Sequence, residues 1–76
     1  MKQVFLIYEA DQHGKNKNLI GCFTARSRAI KEVINQIENK EGEISESTLE
    51  FLDKNLQTQG LETNYFINEQ ETNVIF

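Results

Sequence analysis

The side chains that could carry out nucleophilic chemistry are one thiol, Cys22, and one imidazole, His13. A nucleophilic pair needs hydrogen-bond contact and a third group that orients the base. His13 lies in a predicted loop and Cys22 is fourth in the strand that follows, so a straight strand separates them by more than about 10 Å. Cys22 shares its strand parity with Ile20, so we expect a buried, small apolar residue. The sequence therefore predicts no catalytic residue, and the chain is not expected to be an enzyme.

Glu9, Asp11 and His13 alternate at the end of the first predicted strand and are residue types that bind metal ions. Alternation would direct all three side chains to one side. No fourth ligand accompanies them, and zinc sites favour closed sets of Cys and His. The four glycines are isolated and form no phosphate-binding loop. We therefore interpret this segment as an exposed polar loop and expect no metal and no cofactor.

The charge balance restricts the classes of partner. The chain has 76 residues, and its eight basic and twelve acidic residues give a net charge of −4. Proteins that neutralise phosphates carry clustered positive charge, so we expect no nucleic-acid partner. An acidic run surrounds the predicted loop between two helices, and such a run is usually a solubilising surface. Its alternative role is to imitate a phosphate array, as an acidic inhibitor of a basic host or phage protein. The run comprises Glu38, Glu41, Glu43, Glu46, Glu50 and Asp53.

Cysteine usage and hydropathy indicate a compartment. A single cysteine forms no internal disulfide, which is typical of a reducing environment and predicts a cytoplasmic protein. No signal peptide is recognisable. The longest apolar run, Val4 to Tyr8, is far shorter than the ~20 residues that span a bilayer, so no membrane contact is expected. The length predicts one small domain covering residues 1–76.

Periodicity predicts strands over residues 3–10, 19–24 and 62–70, with Tyr65 and Ile67 inward and Asn64 and Asn68 outward. It predicts a helix over about residues 25–39 with Thr24 as N-cap, and a second helix capped by Ser47 and Glu50. The fold class is α+β, with a three- or four-stranded, mainly antiparallel sheet, two helices on one face and the order β-β-α-α-β. The first strand is the most apolar, so we place it in the middle. The tail at 74–76 could add a fourth edge strand.

The first strand also motivates a functional hypothesis, because it is apolar on both faces. Val4, Leu6 and Tyr8 lie on one side of it, and Phe5 and Ile7 lie on the other. Two helices cover only one face of a sheet, and monomers rarely expose a large apolar patch. We therefore expect a homodimer or another protein as partner, and a small protein–protein interaction or dimerisation module as function. The predicted partner-binding residues are Phe5, Ile7, Phe51, Val74 and Phe76.

Phe51 belongs to this set because it lies about 200° from Leu49, off the apolar stripe of the second helix. It is either an anchor for a partner or packed under the loop before the helix. Val74 to Phe76 form an apolar tail of the kind that adds a strand to a partner's sheet.

The segment Ile20-Gly21-Cys22-Phe23-Thr24, followed by Ala29 and Ile30, resembles a junction found in small uncharacterised bacterial domains. In those domains a strand and a loop precede a Gly-x-Phe-Ser/Thr step, and a helix follows with an alanine facing the sheet. The resemblance covers residues 4–37, about half of the chain. It implies an α+β domain and carries over no functional residue.

Overall fold

The computed structural model describes residues 2–72, and the side chains of residues 3–71. The elements, in order, are β1 (Lys2–Ala10), β2 (Asn18–Phe23), α1 (Arg26–Glu41), α2 (Glu46–Asn55) and β3 (Asn64–Thr72). The strands form one antiparallel sheet in the order β2-β1-β3. The predicted α+β class, element order and central position of β1 are therefore confirmed. The predicted strand at 74–76 lies outside the described residues. No helix in the described part of the chain is long and apolar enough to cross a membrane.

The pairing of β1 with its neighbours decides which side chains share a face. β1 pairs with β3 without interruption from Lys2↔Thr72 to Ala10↔Asn64. Its register with β2 shifts between Ile7 and Tyr8, which leaves Ile20 as the extra residue of a bulge. Gly21 lies opposite Ile7, and a Cβ there would lie 3.2 Å from the Phe23 ring. The glycine therefore permits the close packing that its place inside a strand predicts.

One face of the sheet packs against the helices and forms the core. β1 contributes Phe5 and Ile7, and Ile7 is 0% exposed. Both helices contribute to the same cluster. The buried side chains of α1 recur every four residues and therefore lie on one face of that helix. Full burial of a side chain of the size of Val, Ile, Leu or Phe contributes about 1.5–3 kcal/mol to stability. The remaining buried members of the cluster are Ala29, Val33 and Ile37 from α1, Leu52 from α2, and Tyr65 and Ile67 from β3.

The helix ends differ from the predicted caps. The N-cap of α1 is Ala25, which makes no side-chain capping hydrogen bond, so the prediction of Thr24 is wrong. The cap of α2 is Ser45, whose hydroxyl accepts a hydrogen bond from the Thr48 N–H at 3.2 Å, and not Ser47. Two serines two residues apart are chemically equivalent candidates for a cap.

The segment after α2 returns along β3. Leu56 adopts a left-handed conformation (φ 55°) that ends the helix. Ile67 N–H then donates to the Leu56 carbonyl at 2.8 Å, and Thr58 N–H donates to the Tyr65 carbonyl at 2.9 Å. These bonds cover the first half of the outer edge of β3 and leave its second half unpaired within the described residues.

Asn64 joins three segments through one buried side chain. Its residue is 3% exposed, and its amide donates to the carbonyls of Asp11 (3.2 Å) and Leu61 (3.0 Å). Its oxygen accepts hydrogen bonds from the Thr58 hydroxyl and the Leu61 N–H, both at 3.2 Å. Asn64 points outward, away from the helices, as predicted, but the loop between β1 and β2 covers it.

A second buried polar side chain, Tyr65, lies on the helix side. The residue is 1% exposed and its hydroxyl has no hydrogen-bond partner among the described residues. Burial raises the pKa of Tyr65 above its ordinary value of 10.0, and the nearby Lys40 ammonium opposes that rise. Lys40 forms an ion pair with Glu9 at 2.9 Å, and this hydrogen bond raises the pKa of Lys40. Both groups therefore contribute stability that is lost as the pH rises through their folded pKa values.

Replacing Asn64 with Ala should lower the free energy of unfolding by roughly 2–3 kcal/mol, because buried carbonyl and N–H groups lose their partners. Urea denaturation measures the change. Asn68→Ala on the same strand is the matched control, since Asn68 is exposed, and its effect should stay within about 0.5 kcal/mol. Equal effects of the two substitutions would contradict the role given to Asn64.

Replacing Tyr65 with Phe should leave stability at pH 7 unchanged or raise it by up to about 1 kcal/mol, because a buried hydroxyl without a partner is removed. The variant should also lose less stability than the wild type between pH 9 and pH 11, since no phenol has to ionise on unfolding. Urea denaturation at a series of pH values tests both expectations. A variant that is less stable at pH 7 and has an unchanged alkaline slope would contradict them.

Candidate functional site

The face of the sheet opposite the helices is the candidate site. Residues directly paired across an antiparallel sheet point to the same side. Leu6 pairs with Cys22 and Asn68, and Tyr8 pairs with Leu19 and Phe66. We call this surface the open face. Its central members, between the pairs Lys2↔Thr72 and Ala10↔Asn64 at its two ends, are Val4, Leu6, Tyr8, Leu19, Cys22, Phe66, Asn68 and Gln70.

The open face carries no formal charge on any of these side chains, although 26% of the chain is charged. The carboxylates of β1 and β3 alternate to the other side: Glu69 pairs with Phe5, and Glu9 pairs with Tyr65. On β3, the exposed polar side chains described on the open face are the amides of Asn68 and Gln70. Depletion of charge combined with aromatic side chains is typical of the centre of a protein–protein interface.

Several apolar side chains of this surface remain accessible. Leu19 is 57% exposed, and Ile20 in the adjoining bulge is 40% exposed. Leu6, Tyr8 and Phe66 are half-buried, whereas Val4 is buried. Neither α1 nor α2 packs on this side, so within the described residues these groups are not covered by a helix.

Cys22 is exposed on the open face, so the expectation that it is buried is wrong. Cys22 and Ile20 lie on the same side of β2, as predicted, but that side faces away from the core. The helix-facing residues of the strand are Gly21 and Phe23, which lie opposite Ile7 and Phe5.

A shallow groove of about 340 Å³ crosses the open face. It is lined by Tyr8, Lys17, Phe66, Ile67 and Asn68. The Lys17 ammonium lies 4.2 Å from the centroid of the Phe66 ring, which is cation–π geometry. Lys17 takes part in neither of the two ion pairs found among the described residues, Arg26–Asp53 and Lys40–Glu9. The groove thus combines two aromatic rings with one uncompensated positive charge.

The loop between β1 and β2 places Lys17 over the ring. The Asp11 carboxylate accepts hydrogen bonds from the N–H groups of His13 (2.9 Å) and Lys15 (2.8 Å). The bond from Lys15 is the largest cause that lowers the pKa of Asp11 below its ordinary value of 3.8. Gly14 (φ 74°) lies against Phe66, since a Cβ on it would be 3.5 Å from that ring. The loop therefore folds onto the open face.

Of the residues considered as metal ligands, Asp11 and His13 lie in this loop and Glu9 lies in β1. Glu9 pairs with Lys40, and the Asp11 carboxylate is occupied by the loop backbone. Within residues 2–72, no group of three or more His, Cys, Asp or Glu residues is arranged to hold a metal ion.

The structure separates the predicted partner-binding residues. Phe5 and Ile7 are buried against the helices, so their side chains are not accessible, and Leu6 and Tyr8 take the exposed positions on β1. Phe51 is half-buried beside Thr48, Thr58 and Gln59, in a separate depression. Val74 and Phe76 lie outside the described residues.

Phe66 was missed as a site residue, although its signal was present in the sequence. Tyr65 and Ile67 were predicted to point inward, and strand alternation then directs Phe66 outward. A large aromatic residue on the outward face of a strand is informative when it adjoins other exposed apolar side chains, and Phe66 adjoins Tyr8.

Comparisons with protein-family models, with curated proteins and with solved structures find no match to this chain. The functional argument therefore depends on the geometry of the open face, the charge on it and the loop that borders it.

Acidification should release the loop. Because the folded pKa of Asp11 is depressed, its carboxylate stabilises the folded loop above the unfolded pKa of 3.8. This stabilisation is lost as the pH falls through the folded pKa. The amide signals of His13 and Lys15 in a nitrogen–proton NMR titration from pH 6 to pH 2 should show this transition. Asp11→Asn is the control and should show none at these two amides. Wild-type signals that stay unchanged throughout the titration would contradict the role of Asp11.

Proposed function

We propose that this chain is a protein–protein interaction module and that the open face is its docking surface. The observation that carries the proposal is an uncharged, partly exposed apolar sheet face on a chain in which 26% of the residues are charged. Tyr8 and Phe66 are direct neighbours near its centre. Aromatic side chains in such positions often supply most of the binding energy of an interface.

The size of the open face indicates the kind of contact. Three strands of six to nine residues measure roughly 14 Å by 20–30 Å, or about 300–400 Å² in projection. A standard interface buries about 800 Å² on each partner. The contact must therefore extend beyond the sheet, and the accessible neighbours are the loop with Lys17 and the bulge at Ile20.

The occupant is either a second copy of the chain or a different protein. Two open faces packed against each other would bring two Lys17 side chains into one interface, and the open face offers no carboxylate to pair with them. Enclosing a charge without a partner costs several kcal/mol. The charge distribution therefore favours a different protein over a face-to-face homodimer.

The acidic surface supports a second candidate, the inhibitor of a basic protein. All six carboxylates of the acidic run are exposed, and one of them, Asp53, is paired with Arg26 at 3.4 Å. Binding through this surface should weaken strongly with salt, whereas docking on the open face, which is bordered by one lysine, should weaken much less.

Photo-crosslinking in the cells that make the protein tests the proposal without knowledge of the partner. Leu19 is replaced by p-benzoylphenylalanine, and the matched control carries the same group at Asn35, which is exposed on α1. We expect a discrete adduct from position 19 and none from position 35.

The adduct's mass identifies the occupant: twice 8.8 kDa indicates a second copy, and any other mass indicates a different protein. The same group at Glu50 reports on the acidic surface. No adduct from position 19, or equal adducts from positions 19 and 35, would contradict the proposal. An adduct from position 50 alone would favour the inhibitor.

A further inference from the structure

We propose that the groove over Phe66 binds a protein segment in which a carboxylate is adjacent to a large apolar side chain. This inference rests on the proposed function and names the chemistry of the partner. It follows from three properties of the groove: its aromatic walls, its single charge and the amide at its far end.

The aromatic walls accommodate the apolar side chain. Tyr8 and Phe66 are paired across neighbouring strands and are both half-buried. The groove volume of about 340 Å³ falls at the lower end of the range for ligand pockets, about 300–1,000 Å³. An aromatic side chain entering it would pack against these rings in offset or edge-to-face geometry.

The carboxylate follows from Lys17. Its ammonium lies 4.2 Å from the Phe66 ring centroid and has no ion-pair partner among the described residues. The nearest acidic side chains along the sequence are already engaged: Glu9 with Lys40, and Asp11 with its own loop. The positive charge is thus available, and an incoming carboxylate would reach it without displacing a protein partner.

The amide at the other end of the groove fits a peptide backbone. Asn68 is exposed, and its side chain both donates and accepts hydrogen bonds. A segment that places its apolar side chain between the rings and its carboxylate on Lys17 can also bond to this amide through its main chain.

Exposed aromatic residues on an antiparallel sheet can also stack nucleic-acid bases. Single-strand binding requires a positive groove that follows the phosphate backbone. Here the groove offers one lysine and the chain carries a net charge of −4. The charge balance therefore favours the acidic protein segment.

Titration of nitrogen-15-labelled protein with a blocked pentapeptide, Gly-Phe-Asp-Phe-Gly, tests the inference by NMR. The comparison peptides carry Asn or Lys in place of Asp. We expect shifts of the Tyr8, Phe66 and Lys17 signals and a preference for Asp over Asn of about two- to fivefold, the range of an exposed ion pair. Lys17→Met should abolish that preference and Lys17→Arg should retain it. Lys15→Met in the same loop is the matched control and should behave as the wild type.

Equal affinities for the three peptides, or shifts confined to α2, would overturn the inference. An oligothymidylate of eight nucleotides that shifts the same signals and binds more tightly than the peptides would overturn it in favour of base stacking. If crosslinking from position 19 succeeds while the peptides show no preference, the open face remains the docking surface and only the partner chemistry is wrong. If position 19 gives no adduct, the proposed function fails independently of the peptide result.

Discussion

A single layer of helices covers a sheet whose central strand is apolar on both sides, and this constraint determines the rest of the structure. β1 has five consecutive apolar residues, Val4 to Tyr8, and strand geometry sends successive side chains to opposite faces. The helices use one set, Phe5 and Ile7, to build the core. The other set lies on the face that neither α1 nor α2 covers. The described part of the fold is therefore covered by helices on one side of the sheet, and the open face is the surface for which we propose a docking function.

The loop between β1 and β2 modifies that surface and is fixed by two side chains. The Asp11 carboxylate closes the loop from within, and the buried amide of Asn64 attaches it to β3. As a result the loop covers one end of the sheet and sets Lys17 over Phe66. The stability of the fold and the geometry of the candidate site thus depend on the same few hydrogen bonds.

Local pattern predicted the elements, their order and the central position of β1, because those features depend on periodicity within each segment. Which face of β1 the helices would cover could not be predicted, since both of its faces are apolar. The prediction that Cys22 is buried was wrong for the same reason. The burial of Asn64 could not be predicted because it arises from a loop more than fifty positions away in sequence. The cap at Ser45 rather than Ser47 could not be predicted, because the two serines lie two residues apart and are chemically equivalent candidates.

The distribution of charge is the best reason to treat the open face as functional and not as an incompletely covered surface. Solubility alone would favour carboxylates or lysines on an accessible sheet face. β3 instead places its carboxylates, Glu69 and Glu71, on the helix side and amides on the open side. Amides remain compatible with water and avoid the desolvation cost that a charge would impose on a docking partner. Lys17 lies at the edge of the face, and under the proposed function it would select a partner by charge while the centre of the contact stays apolar.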